Sequence, residues 1–194
     1  PETIDKISNE LTPMVATARL IKQEHPDASV VFIGPCASKK LEASRRTVRS
    51  DVDFVITFEE LTGMFEAKGI LLDEIKAMDE MKDATAAGRG YGVAGGVANA
   101  IKECIEKYYP GTPVNIQHAE SLAECKKALL LAKAGKMNGC LIEGMACPGG
   151  CIAGAGTNIA IPVAARAVDK FKNEAEKKVP DESVDQEMVE LEKE

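Results

Sequence analysis

The amino-acid sequence predicts one α/β domain in which helices flank a largely parallel sheet. Two observations support this fold class: short β-branched runs alternate with helical patterns along most of the chain, and the connections between them are short. Strands separated by helices pair in parallel more readily than as hairpins. We expect the domain to occupy residues 1–178 and residues 179–194 to form an acidic tail.

The strands are predicted from short apolar runs bounded by glycine, proline or polar residues. Their expected bounds are residues 29–33, 53–57, 114–117 and 139–143. The first run, SVVFI, ends at Gly34-Pro35, and we expect it to be a buried strand. The last run leads directly into a glycine-rich stretch, residues 144–156.

The helices are predicted from apolar spacing and from capping patterns. Thr12-Pro13 is typical of an N-cap followed by proline at the first helical position. Thr57 with Glu60, and Ser121 with Glu124, have the spacing of capping boxes. The predicted helices span residues 13–23, 58–68, 94–108, 121–134 and 159–178, and the polar residues 79–92 are predicted to form a flexible loop.

Composition and charge exclude several classes of function. The 194 residues are 45% hydrophobic and 28% charged, as in ordinary soluble proteins. The net charge is −7, of which residues 180–194 carry −6, so the rest of the chain is nearly neutral and offers no broad basic face for nucleic acid. No apolar run approaches the ~20 residues of a membrane span, and no signal peptide is recognisable. We therefore expect a cytoplasmic protein.

The six cysteines fall into two groups by their local setting. Cys104 and Cys125 lie on apolar faces of predicted helices and Cys140 lies inside a predicted strand, so we expect these three in the core. Cys36, Cys147 and Cys151 lie in loops that follow predicted strands. Ligands of α/β proteins bind beyond the carboxyl ends of parallel strands, so both loops are expected to point toward one place.

Two interpretations of these loop cysteines are open. Thiolates are ligands of iron–sulfur clusters and zinc, and the neighbouring glycines allow the backbone to approach a bulky inorganic group. Alternatively, C-P-G-G-C is a tight turn with incidental cysteines or a disulfide. The second proline–cysteine loop favours a metal site. Three cysteines are one short of the four that a cubane cluster usually takes, so another donor must complete it.

The motifs around these cysteines resemble those of a known family. G-P-C-A-S-K-K-L-E-A, from Gly34, is similar to the second signature of FeFe-hydrogenases, M-P-C-x-x-K-x-x-E. E-G-M-A-C-P-G-G-C, from Glu143, resembles the third, E-x-M-x-C-x-x-G-C, which a glycine run follows. The resemblance covers roughly residues 1–170 and indicates the C-terminal part of an iron-only hydrogenase catalytic domain. We expect the first signature, T-S-C-C-P, upstream of Pro1.

The resemblance implies roles for the matching residues. Cys36, Cys147 and Cys151 would be three of four ligands of a 4Fe-4S cluster, and Cys151 would also bridge it to the di-iron unit of the H-cluster. Lys39 would donate a hydrogen bond to a cyanide of that unit. Glu42 matches the glutamate of the outward proton path. The remaining matches, around the cofactor, are Gly34, Glu143 and Met145.

Two departures from the family pattern suggest a divergent or sensory member. Gly34 replaces the methionine of M-P-C, which leaves that volume to solvent or to a neighbouring side chain. Gly154-Ala155-Gly156-Thr157 replaces a more regular glycine run that ends in glutamine.

The function implied is that of an anaerobic oxidoreductase that interconverts dihydrogen and protons, or senses hydrogen, with ferredoxin or another electron carrier. The isolated chain is expected to be inactive and to hold at most part of the cofactor. One alternative is a non-catalytic, hydrogenase-like iron–sulfur assembly protein of the narf type. Another is a metal-free α/β domain whose site has lapsed.

Overall fold

The computed structural model describes residues 3–45, 50–76 and 84–180, which form two compact units. Of these residues, the first unit contains 3–8, 84–153 and 159–180. The second unit contains 9–45, 50–76 and 154–158. The predicted domain, residues 1–178, and the predicted acidic tail stay predictions, and residues 181–194 lie outside the described part of the chain.

Helices and strands alternate through both units. The strands are β1 (Val31–Ile33), β2 (Phe54–Ile56), β3 (Asn115–Ala119) and β4 (Cys140–Gly144). The α-helices are α1 (Pro13–Glu24), α2 (Ser38–Ser44), α3 (Phe58–Ala67), α4 (Ala86–Arg89), α5 (Gly96–Tyr108), α6 (Leu122–Lys133) and α7 (Ile161–Asn173). Short 3-10 turns lie at Ile4–Lys6, Leu72–Glu74, Gly90–Gly92 and Cys151–Ala153. Among the described helices, none has the length and apolar character that a membrane crossing requires.

Each unit contains one parallel pair of strands. In the second unit β1 pairs with β2, with Phe32 opposite Val55, and α2 lies between them in the sequence. In the first unit β3 pairs with β4, with His118 opposite Glu143, and α6 connects them. The predicted α/β class with parallel pairing is confirmed.

The prediction that the first strand is buried is wrong. Val31 is 44% exposed and Ile33 is 45% exposed. Successive side chains of a strand alternate between faces, and only the face that carries Phe32 packs against the core of the second unit. That core contains Met14, Val15, Ala18 and Val52, and the partly buried Val55 of β2 joins Phe32 against it.

The capping patterns place the helix starts correctly, although only one box forms as predicted. Thr57 Oγ1 accepts the Glu60 N–H at 3.2 Å, and the Glu60 carboxylate accepts the Thr57 N–H at 2.8 Å. Ser121 Oγ accepts the Glu124 N–H, but the Glu124 carboxylate accepts the N–H of Glu120 at 2.8 Å. The Thr12 hydroxyl donates to Glu42 at 2.5 Å and makes no capping bond, so α1 begins without a side-chain cap at Thr12.

Tertiary contacts change two further predictions. Residues 79–83 of the predicted loop lie outside the described residues, but α4 forms directly after them because Thr85 accepts the Gly88 N–H. The last helix ends at Asn173 rather than near residue 178. The carbonyls of Lys177 and Lys178 instead accept the N–H groups at the start of α4, at 2.8 and 2.9 Å. Helix α2 is a structural element that the sequence patterns did not indicate.

Asp53 links the strand pair of the second unit to α1. Its carboxylate accepts the Val30 N–H at 2.6 Å and pairs with Lys22 Nζ at 2.9 Å. The Val30 N–H, followed by the hydrogen bond from Lys22, holds the pKa of Asp53 below its usual value. A carboxyl whose pKa is lower in the folded state stabilises the fold above its unfolded pKa, and that contribution is lost as pH falls through the folded pKa.

We therefore predict that Asp53→Asn lowers the melting temperature at pH 7 and that the difference from wild type narrows below about pH 4, near the unfolded pKa of aspartate. Thermal unfolding followed by circular dichroism between pH 3 and pH 7 measures both effects. Glu66→Gln, at an exposed position of α3, controls for the loss of a negative charge. A difference of constant size across this pH range would contradict the prediction.

Candidate functional site

The loop that carries Cys36 is fixed from two sides within the second unit. Gly34 donates its N–H to the Ile56 carbonyl at 3.1 Å and so continues the pairing of β1 with β2. The next carbonyl, that of Pro35, accepts the Gly156 N–H at 2.9 Å. A Cβ at Gly156 would lie 2.4 Å from the Cβ of Thr57, so only glycine fits this approach. Cys36, which is half-buried, follows on a backbone with little freedom.

Lys39 and Glu42, both predicted site residues, form an ion pair on α2. Lys39 Nζ lies 2.5 Å from Glu42 Oε2, and only 22% and 21% of the two side chains are exposed. The second oxygen of Glu42 accepts the Thr12 hydroxyl at 2.5 Å. The neighbouring Lys40 points elsewhere: it pairs with Glu60 at 2.7 Å and is 41% exposed. Lys39 is therefore held in a mostly covered position beside Glu42, whereas Lys40 is more exposed and is held by Glu60 and by the Val55 carbonyl, to which it donates at 3.1 Å.

The space beside Gly34 is occupied by an aromatic ring. A Cβ built at Gly34 would lie 2.9 Å from Cε1 and 3.1 Å from Cζ of Phe32. Phe32 itself packs against the core of the second unit. A neighbouring side chain, that of Phe32, therefore occupies the space that glycine leaves at position 34.

The C-P-G-G-C segment is a tight turn in the first unit. Gly150 donates its N–H to the Cys147 carbonyl at 3.0 Å. Proline at the second position and a left-handed glycine at the third, Gly149 with φ 95°, are typical of a type II turn. Cys147 is half-buried, Cys151 is exposed, and no disulfide joins them. The interpretation as a tight turn is thus correct in geometry, and it does not conflict with metal binding.

Backbone contacts from residues far along the chain hold this turn. The Gly149 carbonyl accepts the Ala94 N–H at 3.1 Å, and the Gly149 N–H donates to Glu120 Oε2 at 3.0 Å. A Cβ at Gly150 would lie 2.4 Å from the Ala94 nitrogen. Residues 92–94 and the turn therefore pack backbone against backbone, which only glycine at position 150 permits.

Glu143 supports the same region through a buried carboxylate. Its oxygens accept the N–H groups of Gly95, Val97 and Ala98 at 2.6, 3.0 and 3.1 Å. Those groups form the start of α5, where backbone N–H groups have no intrahelical partner and a negative charge is stabilising. His118 Nδ1, on the adjacent strand, lies 3.3 Å from Glu143 Oε2. Glu143 thus fixes the residues next to Ala94, which hold the turn.

The predicted core cysteines are only half-buried, so that prediction is wrong in degree. Cys104, Cys125 and Cys140 all keep part of their surface exposed. On α6 the buried positions belong to Ala128 and Ala132. The thiol of Cys125 instead lies 3.7 Å from the Ala119 carbonyl and 3.9 Å from the Met145 carbonyl, under the start of the third-signature loop.

Sequence reasoning missed two residues of this site. Glu120 binds the turn, and His118 contacts Glu143. The sequence holds one signal for Glu120, which is a carboxylate that directly follows a strand. We predicted that strand to end at residue 117, whereas β3 extends to Ala119.

The donor chemistry of the site fits an iron–sulfur group. Thiolates and nearby glycine amides are the groups that bind such clusters. Cys36 belongs to the second unit, and Cys147 and Cys151 belong to the first. Within the described ranges, no three His, Cys, Asp or Glu side chains are placed to hold a metal ion. The convergence of the three cysteines therefore stays a prediction.

The parallel βαβ units and the two cysteine loops define an α/β protein with a candidate iron–sulfur site. The family model "Iron only hydrogenase large subunit, C-terminal domain" matches residues 1–155. The chain belongs to this family.

Curated relatives are consistent with this assignment. The chain is 25% identical over 197 aligned residues to iron hydrogenase 1 of Clostridium pasteurianum, covering 80% of this chain and 34% of that protein. Over 64 residues it is 41% identical to the cytosolic Fe-S cluster assembly factor NAR1 of Kluyveromyces lactis, covering 33% of this chain and 14% of that protein. The chain therefore spans about a third or less of the length of these relatives.

Solved structures show the same fold. A structure of an [FeFe]-hydrogenase described for oxygen inactivation of its H cluster superposes with a TM-score of 0.71 at 21% identity, covering 98% of this chain and 65% of that one. A variant of the [FeFe]-hydrogenase HydA1 from Chlamydomonas reinhardtii gives a TM-score of 0.69 at 21% identity, with 98% and 66% coverage. At this identity the likeness establishes the fold.

The close packing at Gly150 yields a prediction. Gly150→Ala combines a left-handed φ of 91° with a Cβ contact of 2.4 Å, whereas Gly111→Ala has a similar φ of 88° and no atom within 4 Å. Gly111→Ala should cost roughly 1–2 kcal/mol of stability from conformation alone. Gly150→Ala should cost about 1–3 kcal/mol more, from overpacking. Urea unfolding of both variants measures the difference, and equal losses would contradict this account of the turn.

Proposed function

We propose that this chain is the part of an iron-only hydrogenase that provides three cysteine ligands to the H-cluster of the full-length protein. The observation that carries the proposal is the C-P-G-G-C turn, whose central glycine is held by hydrogen bonds to Ala94 and Glu120. Cys36, Cys147 and Cys151 would be ligands of the 4Fe-4S part, with a fourth donor from elsewhere. This assignment rests on family membership and on the donor chemistry.

When bound, the cluster and its di-iron unit would supply the chemistry that interconverts dihydrogen with protons and electrons. The chain's own residues would bind and orient that cofactor. Cys151, the more exposed thiol of the turn, would reach from the 4Fe-4S part to the di-iron unit. The Met145 N–H donates to the Ala119 carbonyl at 2.8 Å and fixes the start of the loop.

Lys39 and Glu42 would provide the polar groups near Cys36. A partly covered ammonium is a strong donor to an anionic ligand such as cyanide, and Glu42 orients Lys39 through a contact of 2.5 Å. Glu42 also accepts from Thr12, so its carboxylate joins α1 and α2. The proposed role of Glu42 is to pass protons outward.

Gly34 supports the proposal of a divergent or sensory member. In catalytic relatives a methionine is expected at this position, but here the Phe32 ring occupies the space at the Cβ. The cofactor would therefore have a different apolar neighbour at the position of Gly34. The proposal accordingly includes a cytoplasmic location, anaerobic conditions, and exchange of electrons with ferredoxin or another carrier.

An assembly role is the second candidate function. The 41% identity to the NAR1 assembly factor over 64 residues favours it. A protein of this kind would keep the cysteines and need no ammonium aimed at a cyanide ligand. The defined position of Lys39 therefore favours the hydrogenase.

The three cysteines provide the first test. In the full-length protein reconstituted anaerobically, Cys36→Ser, Cys147→Ser and Cys151→Ser should each reduce bound iron and sulfide, because each removes a thiolate ligand. Cys140→Ser, at the start of β4, is the matched control and should retain them. The 194-residue chain alone should purify largely without iron and hold any cluster in an oxygen-labile form. Full iron retention in the Cys147→Ser variant, or a stable complete cluster in the chain alone, would sink the ligand assignment.

The two adjacent lysines provide the second test. Lys39→Ala should impair assembly of the di-iron unit, since it leaves an anionic ligand without a donor, at a cost of about 1.5–3 kcal/mol. Lys40→Ala removes the same charge from the surface and should leave assembly intact. Infrared bands of bound carbon monoxide and cyanide report the unit directly. If Lys39→Ala shows the same bands as wild type, Lys39 has only a structural role. If the wild-type protein shows no such bands, the assembly function is favoured.

A further inference from the structure

Gly149, midway between Cys147 and Cys151, has both of its backbone polar groups bound. Its N–H donates to Glu120 Oε2 at 3.0 Å, and its carbonyl accepts the Ala94 N–H at 3.1 Å. Consecutive glycines leave an isolated chain with the greatest conformational freedom. These two hydrogen bonds, made from opposite sides, are what restrict the turn at its centre.

The backbone of Glu120 is itself fixed. Its N–H donates to Glu124 Oε2 at 2.8 Å, within the hydrogen bonds that start α6. The preceding carbonyl, of Ala119, accepts the Met145 N–H at 2.8 Å. Glu120 therefore lies at the junction of β3 and α6, and its half-buried side chain reaches the turn from this fixed position.

The conformation and surroundings of Gly149 favour glycine at this position. Its φ of 95° is in the left-handed region, and a Cβ there would lie 3.1 Å from Cγ2 of Ile161. In this conformation the N–H of Gly149 donates to Glu120. A neutral hydroxyl or amide would suffice to accept one N–H, so the choice of a carboxylate adds a charge as well as an acceptor.

We propose that Glu120 is a positioning residue for the cysteine turn. Its carboxylate holds Cys147 and Cys151 in one arrangement before metal arrives, and its negative charge lowers the reduction potential of the cluster that they bind. A nearby negative charge disfavours the added electron, because like charges repel most strongly in a low-dielectric site. The effect on the potential rests on the proposed function, whereas the positioning effect is a property of the protein alone.

Two substitutions separate the hydrogen bond from the charge. Glu120→Gln keeps an oxygen acceptor and removes the charge, and Glu120→Ala removes both. Glu106→Gln is the control: it removes a charge from an exposed position of α5, where Glu106 pairs with Lys102 at 3.6 Å. The variants are made in the full-length protein.

The first measurement uses the iron-free protein and does not depend on activity. Amide hydrogen exchange at Gly149, followed by NMR on glycine-labelled protein, should be at least about tenfold faster in Glu120→Ala, because a charge-assisted hydrogen bond is lost. Glu106→Gln should stay close to wild type, and Glu120→Gln, which keeps a neutral oxygen acceptor, should lie between wild type and Glu120→Ala. Equal exchange in wild type and Glu120→Ala would overturn the positioning role.

The second measurement uses the reconstituted protein. Glu120→Gln should raise the cluster's reduction potential at unchanged iron content, and Glu120→Ala should raise it and also retain less iron. An unchanged potential in Glu120→Gln would overturn the charge effect. A wild type that binds no cluster would overturn the proposed function, and the exchange result would still decide whether Glu120 positions the turn.

Discussion

The buried carboxylate of Glu143 connects the parts of the first unit on which the cysteine turn depends. A charge removed from water is tolerated only when it is fully hydrogen-bonded, and here three backbone N–H groups at the start of α5 and His118 meet it. Because these partners belong to α5 and β3, while Glu143 lies on β4, the carboxylate ties a helix to both strands. The residues just before α5 are thereby fixed, and they form one wall of the turn.

Small residues make this arrangement possible. The buried residues of α5 and α6 are alanines, and a Cβ at Gly96 would lie 2.0 Å from the Gly90 carbonyl oxygen. Packing at such distances brings backbone groups together directly. The backbone N–H groups can then donate to carbonyl groups, or to a carboxylate such as that of Glu120, where larger side chains would hold these groups apart. The result is a turn whose shape is set by its contacts with the surrounding chain.

The second unit holds its cysteine loop by different means. Cys36 lies between the end of β1 and the short helix α2, and Glu42, which pairs with Lys39 within α2, joins that helix to α1 by accepting the Thr12 hydroxyl. The Phe32 ring fills the space at Gly34. Changes in this loop therefore affect the core of the second unit, against which Phe32 packs, as well as the surroundings of Cys36.

The sequence by itself determined the α/β class, the starts of α1, α3 and α6, and the position of both cysteine loops after strands. These features depend on contacts between residues close in the chain, such as the capping box of Thr57 and Glu60, whose hydrogen bonds span three residues. Only the tertiary structure decided which strand face is covered, how Lys39 and Glu42 are held, and that Glu120 binds the turn. The Thr12–Glu42 and Glu120–Gly149 contacts join residues 30 and 29 positions apart. Local patterns do not specify such pairs, because their distance depends on how the intervening helices and strands pack.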